Sequence, residues 1–502
     1  MKFATLFVAL IALPAAAQDL ALYNRALSAF NSGAYEESAQ AFFEVNTTTT
    51  DPELRQKSEY YLAASLHKDG LPAAAFIYFA TIIKHGKTHP FYLKSVEGLV
   101  NVQDQLNDQF LIPNFLNSNY SDEWATLPIE VLSRINYMIA GISLRKGKFE
   151  EAREFLMAVP KESTIYVKSQ YLLGIVLVDP RFPGGSQTRE AVRAFETVRD
   201  AEGAEQKDLK QTRFLATLGL GRAYYGVGEY QKASSSYESI PRFSKYWDQA
   251  LFENGFARFQ NDDLGGALGS LQALHAPQFI GAFQPESWIL KSTVYYFSCL
   301  YAEAKSALAA FDELYLPMAE QLKLIVDSES KDPEVFFRLV DADETGKIPR
   351  PVLNWVRANE RMLGMFAVLR EIDREKKKID GVQSWRASKL APEVISYLDQ
   401  NRGTLVKTAG TFAKNRLEEA YRNIKTYADQ AEIIRFETSK QEKEFAEAGV
   451  NQAALLKRQA LFRPKMPAEN WNYWKFQGEF WRDEIGYYQY TLKTGCPAEA
   501  KE

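Results

Sequence analysis

Apolar and polar positions along this chain alternate with the three-and-four spacing of amphipathic helices, in short blocks broken by glycine or proline. From residue 20 to about 318 one pattern recurs: a small residue, an aromatic four positions on, a turn residue, another aromatic, a second small residue, then a bulky one. The clearest copy runs from Leu220-Gly221-Arg222-Ala223-Tyr224-Tyr225-Gly226-Val227-Gly228-Glu229-Tyr230 through Ala233, Tyr237, Ile240 and Pro241. Earlier copies carry Ala26, Phe30, Gly33, Tyr35, Ser38 and Phe42, then Ala63, Leu66, Gly70, Ala75 and Phe79. Later ones carry Ala140, Leu144, Gly147, Phe149, Ala152 and Leu156, then Gly255, Phe259, Leu264, Ala267 and Leu271, and lastly Tyr296, Cys299, Tyr301 and Ala304. The second small residue falls at 38, 75, 152, 191, 233, 267 and 304, with gaps of 37, 77, 39, 42, 34 and 37. The gap of 77 contains one degenerate unit, over about 92–128.

This pattern resembles the tetratricopeptide repeat, a helix–turn–helix of about 34 residues. It predicts an all-α, tetratricopeptide-like solenoid of about eight helix pairs over 18–318. Each unit exposes an apolar flank that only its neighbour can cover, so stacking supplies the core and leaves a long inner groove. First-helix side chains line such a groove. On this frame they are Tyr137, Arg145, Arg222, Tyr225, Phe259, Gln260 and Tyr296.

After Pro317 the repeat fades. Residues 319–460 predict a helical hairpin: helices at 332–340 and 351–380, and a longer one near 392–448 whose near-heptad stripe includes Leu405, Ala409, Phe412, Ala420, Ile424 and Ile434. From Thr411 to Ala448 there is no Gly or Pro, which allows roughly 57 Å of coiled-coil-like rod at 1.5 Å per residue. The mixed-charge run Arg370 to Asp380 reads as a solvated face. Residues 461–502 are rich in aromatics (Trp471, Tyr473, Trp474, Phe476, Phe480, Trp481, Tyr487, Tyr488 and Tyr490). Two readings fit them: a cap buried against the long helix, which aromatic core energetics favour, or a platform stacking on sugar rings.

The amino terminus changes the compartment. Lys2, the apolar run Phe3 to Leu13, Pro14 and Ala15-Ala16-Ala17 have the layout of a signal peptide over 1–17, cleaved before Gln18. A periplasmic protein with no transmembrane segment follows as the expectation. In an oxidising compartment Cys299 and Cys496, the chain's only cysteines, can join; their proximity is not readable from sequence. With 60 Lys and Arg against 64 Asp and Glu, a generally basic nucleic-acid binder is excluded.

Catalytic signatures are wanting. His85 and His89 stand four apart, but Gly86 and Pro90 put them in a loop with no third ligand nearby. Glu286-Ser287 matches the acid–Ser pair of soluble lytic transglycosylases, without the Gly-Leu-Met-Gln stretch that should follow. Asp341, Asp343, Thr345 and Gly346 match the opening of a calcium loop, but Val352 stands where the bidentate Glu belongs, and an ordinary helix-capping turn accounts for them better. The expectation is a non-enzyme with no catalytic residues, no metal and no cofactor.

Three strings carry a wider resemblance: Tyr295-Tyr296-Phe297-Ser298-Cys299-Leu300-Tyr301-Ala302-Glu303-Ala304, Ile433-Ile434-Arg435-Phe436-Glu437-Thr438-Ser439-Lys440-Gln441-Glu442-Lys443-Glu444, and Gly478-Glu479-Phe480-Trp481-Arg482-Asp483-Glu484-Ile485-Gly486-Tyr487-Tyr488. With the repeats, they resemble exported tetratricopeptide proteins of gliding and predatory bacteria, linked to adventurous gliding-motility machinery. The resemblance implies a periplasmic scaffold within an envelope-spanning protein complex, its partners other envelope proteins. The alternative is a peptidoglycan- or glycan-associated protein working through the aromatic tail.

Overall fold

The computed structural model describes residues 15–202, 207–328, 331–342, 346–459, 469 and 472–497. Most of the leader expected over 1–17 lies outside these residues, as do Trp471 and the Asp343 to Thr345 part of the calcium-like fragment.

All regular structure among the described residues is helical, and the first sixteen α-helices come as eight consecutive pairs. These are α1 (Ala15–Asn31) with α2 (Tyr35–Thr48), α3 (Pro52–Lys68) with α4 (Pro72–His85), and α5 (Tyr92–Leu106) with α6 (Leu111–Ser118). Next come α7 (Ile129–Arg145) with α8 (Phe149–Met157), α9 (Tyr166–Val178) with α10 (Thr188–Arg199), and α11 (Lys207–Gly226) with α12 (Tyr230–Glu238). The last are α13 (Trp247–Gln260) with α14 (Leu264–Leu274), and α15 (Glu286–Phe297) with α16 (Tyr301–Val326). The fold is a solenoid-like helical repeat of tetratricopeptide type. All seven small residues that set the spacing, from Ser38 to Ala304, are fully buried. The degenerate unit over 92–128 is the pair α5 and α6, and a second irregular unit, Gly174 to Phe195 with residues 179–185 as a loop, falls in the pair α9 and α10.

One turn geometry recurs between the helices of a pair. A residue with positive φ ends the first helix: Gly33, Gly70, Gly147 and Gly228 in four pairs, and Asn107, Asp262 and Cys299 in three others. The rings then pack by insertion. Phe195 of α10 lies against Gly174 of α9 and Gly219 of α11, where an added Cβ would come within 2.5 and 2.6 Å of it. Phe79 of α4 uses Gly98 of α5 in the same way, at 2.6 Å. Glycine is selected here because a side chain would occupy the space of the ring.

The remaining helices are α17 (Pro333–Ala342), α18 (Arg350–Arg357), α19 (Glu360–Gly381), α20 (Gln383–Arg386), α21 (Ala391–Glu447) and α22 (Gln452–Arg458). The helix expected over 351–380 is two, α18 and α19, with the break at Ala358 and Asn359. The break coincides with a boundary between the two compact units described below: Asn359 ends one stretch of the second, and Glu360 begins one of the first. Pro317 does not end α16, which runs on with Ala319, Leu322 and Ile325 buried.

The chain forms two compact units. The first comprises residues 1–142 and 360–408. In it the charged run of α19 grips the α3–α4 turn instead of facing water throughout. Glu375 is fully buried and accepts the N–H groups of Ala73 and Ala74, at 2.6 and 3.0 Å, at the start of α4. Arg374 donates to the Gly70 carbonyl at 2.6 Å, and Lys378 to the Asp69 carboxylate at 2.8 Å. Ion pairs from Lys376 to Asp399 and Arg402 to Asp373 lay α19 beside the start of α21.

The second unit comprises residues 143–359 and 409–502. Here the later part of α21 covers the last helix pair. Arg435 pairs with Asp312, Lys305 with Glu442, and Tyr427 donates to Glu286 at 3.0 Å. Tyr301 and Phe445 meet edge to face, with ring centres 5.5 Å apart.

The aromatic tail lies on the repeats, where a cap on the long helix was expected. Ile485 is fully buried among residues of α11 to α14, with Phe480 and Tyr488 packed alongside. Tyr490 donates its N–H to the Gly265 carbonyl at 3.3 Å and its hydroxyl to Gln272 at 3.0 Å. Gly495 N–H donates to the Ser298 carbonyl at 2.8 Å, and a disulfide joins Cys299 to Cys496, with Cα atoms 5.1 Å apart. No helix of the described residues is long and apolar enough to cross a membrane.

Candidate protein-binding face

In the second unit the first helices of three successive pairs, α11, α13 and α15, carry exposed or half-buried side chains that link one helix to the next. Arg222 on α11 donates to both carboxylate oxygens of Glu253 on α13, at 2.7 to 3.1 Å. Burial disfavours the charged guanidinium, but the Glu253 carboxylate outweighs it and holds the Arg222 pKa above its ordinary value. Three residues along α11, Tyr225 meets Tyr230 edge to face at 5.3 Å. Its phenol pKa is raised, chiefly by burial, while a hydrogen bond from Gln260 at the end of α13 acts against the rise. Phe259 then meets Phe297 of α15 at 5.7 Å, and Tyr296 lies 5.7 Å from Phe297 and 6.1 Å from Tyr301.

Arg222, Tyr225, Phe259, Gln260 and Tyr296 thus sit on adjoining first helices of one unit. Tyr137, on α7, belongs to the first unit, and Arg145, at the end of the same helix, to the second. Sequence reasoning missed two participants. Glu253 stands 31 residues on from Arg222, about one helical turn short of its repeat counterpart Phe256, so the repeat frame alone did not single it out. Phe297 is 61% exposed, next to a residue that was singled out. This face offers a fixed guanidinium–carboxylate pair, phenol hydroxyls, an amide and open ring faces, which suit the backbone and side chains of a peptide or helix.

Other candidate chemistry resolves into structural contacts. His89 has both ring nitrogens engaged, one with Glu59 at 3.2 Å and the other accepting the Phe91 N–H at 3.2 Å. His275 and Ser287 lie 2.9 Å apart, as a base and nucleophile would. But Ser287 is 1% exposed and donates its proton to the Gln284 carbonyl at 2.6 Å. His275 stacks on Trp288, ring centres 3.8 Å apart, and burial, with Lys291 adding to it, drives its pKa well down. Glu286 accepts the Tyr427 hydroxyl. Arg357 donates to the Val340 and Asp341 carbonyls at 2.7 Å, tying α18 to the end of α17.

No family model matches the chain, and no curated protein matches it. Among solved structures, the apo form of the quorum sensor NprR from B. thuringiensis is similar over 76% of this chain and 98% of its own, at 12% identity and a TM-score of 0.33. A Rap protein complexed with Competence and Sporulation Factor is similar over 80% of this chain and 100% of its own, at 10% identity and a TM-score of 0.28. The repeat character of the fold rests on the helix pairs themselves.

Proposed function

We propose that this protein is a non-enzymatic scaffold that holds a segment of a partner protein along the first-helix face of its repeats. The linked row Arg222–Glu253, Tyr225–Gln260 and Phe259–Phe297 carries this reading. Its side chains are tied to one another across helices, so binding would immobilise few of them and lose little conformational entropy. The scaffold works in the periplasm after export. The leader-like amino terminus and the Cys299–Cys496 bridge support that compartment. Its partners are envelope proteins of a multiprotein assembly, and the three strings noted above favour one of gliding-motility type.

The test is co-purification from periplasm with tagged wild type and with Arg222→Glu plus Tyr225→Ala, each checked for helix content. Phe297→Ser serves as a second variant that breaks no ion pair. Partners retained by wild type and lost by both variants support the reading. An unchanged partner set in both defeats the groove.

A further inference from the structure

Trp474 and Trp481 are 69% and 58% exposed, although large aromatic side chains dominate cores when a fold can bury them. With Gln477, Glu479, Asp483 and Glu484 they line an open concavity of about 390 Å³ in the second unit. Among the described residues no lysine or arginine side chain pairs with the carboxylates of Glu479, Asp483 or Glu484. Two neighbouring arginines are committed elsewhere, while Lys475, next to Trp474, is exposed. Arg482 lies over the Phe243 ring at 4.8 Å. Arg242 lies over the Tyr487 ring at 4.5 Å and donates to the backbone carbonyls of Arg482 and Asp483 at 2.8 and 2.9 Å. Close by, the Tyr488 hydroxyl oxygen is buried with no hydrogen-bond partner, and the same three acids act on it.

Two indole faces and three carboxylates that no described lysine or arginine pairs with make one electrostatic demand. The face of an aromatic ring is the negative end of its quadrupole, so rings and acids together attract a cation. A neutral sugar would gain stacking from the indoles but leave the carboxylates unpaired, and an anionic glycan would be repelled. The rim is also held in place. Downstream, the tail is pinned by Tyr490 to Gly265 and Gln272, and by the Cys299–Cys496 bridge. We propose that this concavity is a docking site for a lysine or arginine side chain presented by a partner protein. It is separate from the first-helix face and stands whether or not that face binds.

The oxidised full-length protein is titrated with hexalysine, hexa-arginine and a neutral N-acetylglucosamine tetrasaccharide, following tryptophan fluorescence. The basic peptides are expected to bind in a salt-sensitive way. Trp474→Ala and Trp481→Ala should each weaken them by roughly three- to tenfold, with Trp474→Phe retaining most of the affinity. Glu479→Gln with Asp483→Asn should weaken them at least as much. Both indoles and both acids are on the surface, so these variants keep the fold, which circular dichroism verifies. Two results overturn the proposal. One is peptide binding that ignores both tryptophans, which is general charge attraction. The other is tetrasaccharide binding that needs Trp474 yet ignores the acids, which makes the site a sugar platform.

Discussion

Cys299 adopts a backbone conformation that its own side chain disfavours. Its φ of 53° falls at the turn position where four other pairs place glycine, and an ordinary L-residue loses about 1–2 kcal/mol there. What it gains is the bond to Cys496, which fixes the tail. Once the bridge is gone the strain has no return. In a Cys496→Ser background, Cys299→Gly should therefore be more stable than Cys299→Ser by about 1 kcal/mol, read from urea midpoints. Glu375 makes the second case. Burial pushes its carboxyl up to about 8, against the pull of the Ala73 and Ala74 N–H groups and the nearby Arg374, with Glu371 adding to the rise. A carboxyl in the unfolded chain titrates near ~4.3, so between these values the folded state binds the extra proton. Its contribution to stability is fully present below about pH 4.3 and is lost as the pH rises through about 8. Urea midpoints at pH 5 and pH 8 should differ in wild type, with pH 8 lower, and differ less in Glu375→Gln.

At the scale of elements, α14 inverts a rule of helix propensity. Its Gly265 and Gly269 look like weak points that alanine would improve by about 1 kcal/mol each. Instead a Cβ at Gly269 would collide with the Tyr488 carbonyl, and one at Gly265 with the Tyr490 carbonyl. Gly269→Ala should thus expose the tail to limited proteolysis while leaving overall helix content unchanged. The same contrast divides what was legible from what was not. The spacing of Ser38, Ala75, Ala152, Ala191, Ala233, Ala267 and Ala304 could be read directly, because packing within a repeat depends on residues a fixed distance apart. The partners of Gly265, Gly269 and Glu375 lie between 200 and 310 residues away, as the 302 separating Ala73 from Glu375 illustrates. No periodicity encodes such a pairing, and a carboxylate in a charged run looks solvated until the helix end it caps is known. For the candidate face, the first-helix residues followed from the repeat frame, while the Arg222–Glu253 bond required the register of two neighbouring pairs.

For the whole molecule, the order in which the chain builds its units matters more than any one contact. It leaves the first unit at Ile142, makes most of the second, returns to the first for Glu360–Thr408, and finishes in the second. The disulfide spans 197 residues and encloses that whole excursion, yet both of its cysteines belong to the second unit. In the chain-entropy account, closing a loop of this length stabilises the folded state by about 5 kcal/mol. Reduction removes that constraint and first frees what the bridge holds locally, since local opening needs less energy than global unfolding. Hydrogen exchange on the reduced protein should then show the Tyr490 and Gly495 amides, bonded to Gly265 and Ser298, losing protection. The Ala73 and Ala74 amides, bonded to Glu375 within the first unit, should keep theirs. If all four lose protection together, the two units open as one, and the bridge stabilises the whole chain instead of its tail.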